Sequence, residues 1–211
     1  MPHDHHDHVS PSGHPFRPDN DHPLTYWQQM EIAIRELLIE KGVTTAAEIN
    51  AQIVSMDARS PATGARVVAR AWTDAAFRAA LFADAASAVE SIGIDIGGLR
   101  LIALENTEDV HNVVVCTLCS CYPRDLLGLP PDWYKSRAYR SRTVKEPRKV
   151  LAEFGLELPP STTIRVHDST ADMRYVVIPA RPPGTAGLSE AALADLVTRD
   201  SMIGTGPVKA P

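Results

Sequence analysis

The feature that most constrains this chain is a cluster of thiols. Cys116, Cys119 and Cys121 fall in the run Val115-Cys116-Thr117-Leu118-Cys119-Ser120-Cys121, and no other cysteine occurs in the sequence. Thiols scattered through a fold suggest core packing or disulfides, whereas three in one loop can reach a single point in space. The Cys-x-x-Cys step lets two sulfurs meet at a metal. The Cys-x-Cys step adds something rarer, because Cys119 and Cys121 bracket the peptide nitrogens of Ser120 and Cys121. An ion held by both sulfurs can also bind both nitrogens once the amides lose their protons. That gives a square plane, with Cys116 placed to supply an axial thiolate and the opposite axial position open.

Few ions accept such a donor set. Amide deprotonation needs a strongly polarising ion, and soft thiolates point away from magnesium and calcium. Zinc prefers a tetrahedron of four side-chain ligands. A structural zinc here would have to recruit a histidine such as His111 or His167. Disulfide pairing is disfavoured by the closeness of the cysteines and leaves a third thiol over. The pattern therefore points to trivalent cobalt or iron in a thiolate–amidate cage.

With these residues in view, the chain resembles the alpha subunit of nitrile hydratase. The likeness runs from the cysteine loop through Leu127-Gly128-Leu129-Pro130-Pro131-Asp132-Trp133-Tyr134-Lys135, Tyr139-Arg140-Ser141-Arg142, Glu146-Pro147-Arg148 and Val150–Gly155. It continues through Arg181–Thr185 to Leu196–Gly204, covering about residues 25–207. The resemblance implies metal ligation by Cys116, Cys119 and Cys121 and by the backbone nitrogens of Ser120 and Cys121. It further implies oxidation of Cys119 to sulfinic acid and of Cys121 to sulfenic acid. Thr117, between the first two cysteines, implies low-spin cobalt(III) rather than iron. Cys121 is the implied catalytic residue, its sulfenate oxygen serving as nucleophile or base. A partner beta subunit is implied too, together with a possible cobalt-loading activator. Two positions depart from the family pattern. Arg124 stands where many members carry a pocket Trp, and Gly97 or Gly98 stands where some iron members carry Gln. Arg also occurs at the first position in the metal subunit (gamma) of the related thiocyanate hydrolase, which makes Arg124 a candidate substrate-binding residue for an anion.

The remaining sequence sets the frame. With 211 residues the chain suits one domain plus extensions. A net charge of −5 argues against general nucleic-acid binding. No apolar run reaches membrane-spanning length, and the start is His/Asp/Pro-rich rather than signal-like, so a cytoplasmic protein is expected. Residues 1–23 carry His3, His5, His6, His8, His14 and His22 and read as a disordered tail. From Leu24 the spacing of Trp27, Met30, Ile34, Leu37 and Leu38 predicts a helix that stops near Gly42. Thr45-x-x-Glu48 predicts a capping box for a second helix. Helices over 62–72 and 74–92 follow, the latter broken or ended near Gly93. The helical stripes of this half read as core or as a partner-facing surface.

The second half alternates in character. Residues 99–104, 112–115, 163–166 and 175–178 read as strands, so the cysteine loop begins as a strand ends. Pro147 opens a helix closed by Gly155, and Ser189 caps a last helix through Val197. The expected class is α+β, with a helical N-terminal half and a mixed-sheet, layered metal-binding region. The expected divisions are 1–23 (tail), 24–93 (helical), 94–207 (metal-binding) and 208–211 (tail). Positive charge gathers after the loop at Arg137, Arg140, Arg142, Lys145, Arg148 and Lys149, where it can compensate an electron-rich cage. Three functions fit: a nitrile hydratase subunit, a thiocyanate hydrolase-type subunit or three-subunit hydratase, and a non-enzymatic metal-storage or structural zinc protein.

Overall fold

A computed structural model of the chain describes residues 23–119 and 121–211. The expectations for residues 1–22 and for the Ser120 nitrogen lie outside the described residues. The chain divides into two compact units between Gln52 and Ile53.

In the first unit, α1 (Tyr26–Glu40) starts at Thr25, whose hydroxyl accepts from the Gln28 amide while the Gln28 side chain accepts from the Thr25 amide. Reciprocal capping satisfies two amides that would otherwise lack partners. The apolar stripe expected along this helix is present, but no residue of α1 is buried, and Trp27 is 78% exposed. The expected capping box opens α2 (Ala46–Asp57): Thr45 N donates to Glu48 Oε2 at 2.8 Å, and Glu48 N to Thr45 Oγ1 at 3.2 Å.

The second unit holds the rest. Helix α3 (Pro61–Thr73) carries Pro at its first turn and buries Val67, Val68, Ala69 and Trp72. The Trp72 indole donates to the Pro179 carbonyl at 2.8 Å, so burial leaves no polar atom unpaired there. The helix expected over 74–92 is two helices, α4 (Ala75–Ala83) and α5 (Ala85–Ser91). Asp84 causes the break. Its backbone is extended and its carboxylate accepts from Ser87, starting a new helix.

Strands β1 (Arg100–Glu105) and β2 (Val110–Val115) follow, then helices α6 (Arg124–Leu127), α7 (Asp132–Lys135), α8 (Arg137–Lys145) and α9 (Pro147–Glu153). Strands β3 (Thr163–Asp168) and β4 (Met173–Ile178) precede α10 (Glu190–Ala194) and α11 (Arg199–Ile203). The helix expected to reach Val197 ends at Ala194, because Thr198 caps Ser201 and begins α11. Beyond it, Lys209 N donates to Leu196 O at 2.8 Å.

The architecture is α+β, with the cysteine cluster in the C-terminal half as expected. Its strands form two parallel pairs, β1 with β4 (Arg100↔Met173 to Glu105↔Ile178) and β2 with β3 (Val110↔Thr163 to Val115↔Asp168). Helices α4 and α5 pack on β1, α9 packs on β3, and α11 packs on β2 and β4. Val113–Val115 and Val176–Ile178 form the buried centre with Leu126, Leu127, Met202 and Ile203. No helix among the described residues is long and apolar enough to cross a membrane.

Candidate metal centre

Strand β2 delivers the cysteine loop to a fixed point. Its last residue, Val115, pairs with Asp168 at the carboxyl end of the parallel pair, and Ser169 N donates to Val115 O at 2.7 Å. Asp168 then grips the loop twice: Thr117 N donates to Oδ1 at 2.9 Å and Thr117 Oγ1 to Oδ2 at 2.5 Å. The other side of the loop is braced by tyrosines. The buried Tyr134 hydroxyl donates to Cys121 O at 2.8 Å, and the Tyr139 hydroxyl to Val114 O at 2.7 Å. Burial pushes both phenols above their ordinary pKa, so they remain donors. Arg140 Nη1 donates to Cys119 O at 2.9 Å and to Thr117 O at 3.3 Å.

This frame brings the three sulfurs together. Cys119 Sγ lies 3.5 Å from Cys116 Sγ and 3.1 Å from Cys121 Sγ, and all three fall within 4.8 Å of one another. Those separations are too long for the S–S bond of about 2.05 Å. They fit a shared ion. Two thiolates each about 2.3 Å from one metal stand roughly 3.3 Å apart at a right angle and about 3.8 Å apart at a tetrahedral angle. The Cys119–Cys121 separation lies nearer the right angle, and the Cys116–Cys119 separation falls midway between the two. Cys116 and Cys121 are buried, whereas Cys119 is exposed. Burial first, and contact with Cys119 second, push the Cys121 thiol up to about 12, with the Arg174 charge opposing them. Three thiolates this close repel one another, and a cation among them relieves that repulsion.

The histidines considered for a zinc site are engaged elsewhere. His111 Nε2 donates to Gly204 O at 2.7 Å, its Nδ1 faces Asn106 Nδ2 at 3.2 Å, and burial lowers its pKa. His167 Nε2 donates to Asn112 Oδ1 at 2.8 Å. Among the described residues the cluster contains the three cysteines alone, without the fourth side chain of a structural zinc.

The cations after the loop divide by task. Arg140 bonds to the loop. Arg142 pairs with Glu146 at 2.7 Å and Glu153 at 2.5 Å, and Arg148 donates to Leu158 O, Pro159 O and Thr162 O. Arg137 and Lys145 line a cavity of about 630 Å³ against Leu118 that includes none of the three cysteines. A second cavity, about 340 Å³, does reach two of the three cysteines. Cys119, Cys121, Tyr122 and Arg124 line it, so Arg124 stands beside the cysteine cluster. Arg174 lines it too, and its buried Nε has no partner among the described residues.

Sequence reasoning missed Asp168, Tyr134 and Arg174. A signal existed for one of them, since Tyr134 lies in the quoted run after the loop. Asp168 and Arg174 reach the site only through strand pairing. Asp168→Ala should therefore loosen Thr117 and weaken metal retention about 10–100-fold, the usual effect of losing an outer hydrogen-bond partner. Cobalt content after graded chelator challenge measures it, and retention equal to the parent would count against the role of Asp168.

Comparison with known proteins agrees with this geometry. The family described as nitrile hydratase, alpha chain, matches residues 25–206. A nitrile hydratase subunit alpha from Rhodococcus sp. is 52% identical over 182 residues, covering 85% of this chain and 92% of the relative. The cobalt-containing nitrile hydratase subunit alpha of Pseudonocardia thermophila is 52% identical over 184 residues, covering 84% and 89%. The crystal structure of a thiocyanate hydrolase mutant superposes with a TM-score of 0.83 at 40% identity, covering 89% of this chain and 92% of that one. A cluster of three cysteines spaced to share an ion, in a sequence that matches the family from residue 25 to residue 206, makes this chain a member of the nitrile hydratase alpha-chain family.

Proposed function

We propose that this chain is the metal-bearing alpha subunit of a cytoplasmic nitrile hydratase, which adds water to a nitrile to give an amide. The observation that carries the reading is the convergence of the sulfurs of Cys116, Cys119 and Cys121 to within 4.8 Å of one another. Cys116, Cys119, Cys121 and the backbone nitrogens of Ser120 and Cys121 would hold cobalt(III), with Cys119 as sulfinic and Cys121 as sulfenic acid. Thr117 and the cobalt-containing relatives favour cobalt over iron. When bound, the trivalent ion would supply Lewis acidity toward the nitrile or water. The chain's own residues do the rest. Asp168, Tyr134 and Arg140 hold the loop backbone so that the donors keep their spacing. The oxygen of oxidised Cys121 is the catalytic nucleophile or base. In the net reaction the nitrile carbon gains the water oxygen, and the two water protons end on nitrogen.

A beta subunit completes the enzyme. The unburied apolar stripe of α1, with Trp27, Ile34 and Leu37 all exposed, supports a covering partner. The thiocyanate hydrolase-type reading is supported by one specific observation, the position of Arg124 beside Cys119 and Cys121. A guanidinium there favours an anion over an apolar nitrile. Arg124→Trp is accordingly expected to move the ratio of kcat/KM for an apolar nitrile over that for thiocyanate up by roughly tenfold to hundredfold. An unmoved ratio would take Arg124 out of the substrate site.

Metal analysis and an absorption spectrum of the complex purified with its beta subunit test the proposed function. Cobalt with a thiolate-to-metal charge-transfer band is expected. Zinc with no visible band would overturn the reading in favour of a storage or structural role.

A further inference from the structure

Outside the cysteines themselves, the side chains lining the cavity beside the cluster carry more positive than negative charge. Arg59, Arg124 and Arg174 line it against one carboxylate, Asp125. That carboxylate is already taken: Arg59 Nη1 lies 2.6 Å from Asp125 Oδ1, and the Asp125 side chain is only 17% exposed. Arg124 has no ion-pair partner among the described residues. The Arg59 backbone fixes the same short helix at its other end. Helix α6 stops at Gly128, where a Cβ atom would sit 2.7 Å from the Arg59 carbonyl oxygen. Arg59 therefore touches α6 by side chain at Asp125 and by main chain at Gly128.

Asp125 faces Arg59 and lines the same cavity as Arg124 and Arg174. Without Arg59 its carboxylate would be left unpaired among those two cations. It would then cancel the charge that meets an incoming anion. Charges on the walls of a partly enclosed cleft act strongly on such a ligand, because little water screens them.

We propose that Arg59 is a positioning residue that sets the charge of the substrate cavity: by sequestering Asp125 it leaves Arg124 and Arg174 un-neutralised for a small linear anion such as thiocyanate. The inference rests on the proposed function in taking this cavity as the substrate site. Arg59 need not touch the substrate. Its effect passes through Asp125, so removing both partners should undo what removing Arg59 does.

Line broadening of ¹³C-thiocyanate on the full complex with its partner subunit gives dissociation constants without any need for turnover. Arg59→Gln is expected to weaken thiocyanate roughly tenfold, since a carboxylate is released among the binding cations. Arg59→Gln/Asp125→Asn should recover to within about threefold of the parent, because no carboxylate remains. Asp125→Asn alone should bind at least as tightly as the parent, which keeps the test available if Arg59→Gln fails to assemble. Unchanged binding in Arg59→Gln, a double variant as weak as the single, weaker binding in Asp125→Asn, or no saturable binding to the parent would each overturn the proposal. Turnover in the same samples separates the two readings. A parent complex that hydrates no nitrile and hydrolyses no thiocyanate would refute the proposed function, while the order of the dissociation constants still decides the role of Arg59.

Discussion

Cys119→Ala should empty the metal site. Cobalt is expected to fall to roughly a tenth or less of the parent content, with hydration falling in proportion, because the proposed site loses one of its three sulfur ligands. Cys119 is the sulfur common to both short separations, 3.5 Å to Cys116 and 3.1 Å to Cys121. Among the described residues no histidine or carboxylate belongs to the cluster to replace it. The frame around the loop should survive, since Tyr134, Tyr139 and Arg140 bind main-chain carbonyls rather than the Cys119 sulfur. Metal-free parent and metal-free variant should accordingly melt within a few degrees of each other. Full cobalt and full activity in the variant would sink the ligand assignment.

Gly204→Ala should cost at least about 3 kcal/mol, the range reached when a clash adds to a strained backbone. Gly204 closes α11 with φ at +86°, where an L side chain is strained. A Cβ atom there would run into the Asn112 carbonyl oxygen and come within 3.0 Å of Val113 Cα, both in β2. Nor can the helix end back away, because Gly204 O accepts from buried His111 and Gly204 N donates to Asp200 O. The strain falls on the strand that carries the cysteine loop. A fall in melting temperature of roughly 10 °C is expected by thermal denaturation of the complex. A shift of only one or two degrees would show that β2 yields easily.

How much of this was legible in the sequence depended on distance along the chain. The cysteine cluster was legible because its geometry is local, set by spacings within the loop itself. The Thr45–Glu48 box, the end of β2 and the Pro147 start of α9 were legible for the same reason. Asp168 was not, because Thr117 meets it across 51 positions and only parallel register makes them neighbours. The basic run showed a similar limit. Composition places many cations after the loop, but helix geometry decides that Arg140 reaches its carbonyls while Arg142 turns to Glu146 and Glu153. Periodicity revealed the apolar face of α1 without revealing what covers it, since a stripe records amphipathicity and not its partner. The Asp84 break was readable in principle, because Asp inside an Ala-rich run competes for the next helix start.

The parallel pairing of β2 with β3 also fixes an order of events. The cysteines leave β2 at the beginning of the connection, residues 116–162, while Asp168 waits beyond it at the last position of β3. Contacts that close so long a segment are expected to form late, after the intervening helices α6 to α9. A nascent chain thus exposes its thiols well before it owns the cradle that spaces them. For the proposed metal centre, ion capture in the correct geometry is then expected at the last stage of maturation, and a wrong metal or a stray oxidant has the interval before it in which to reach the cysteines.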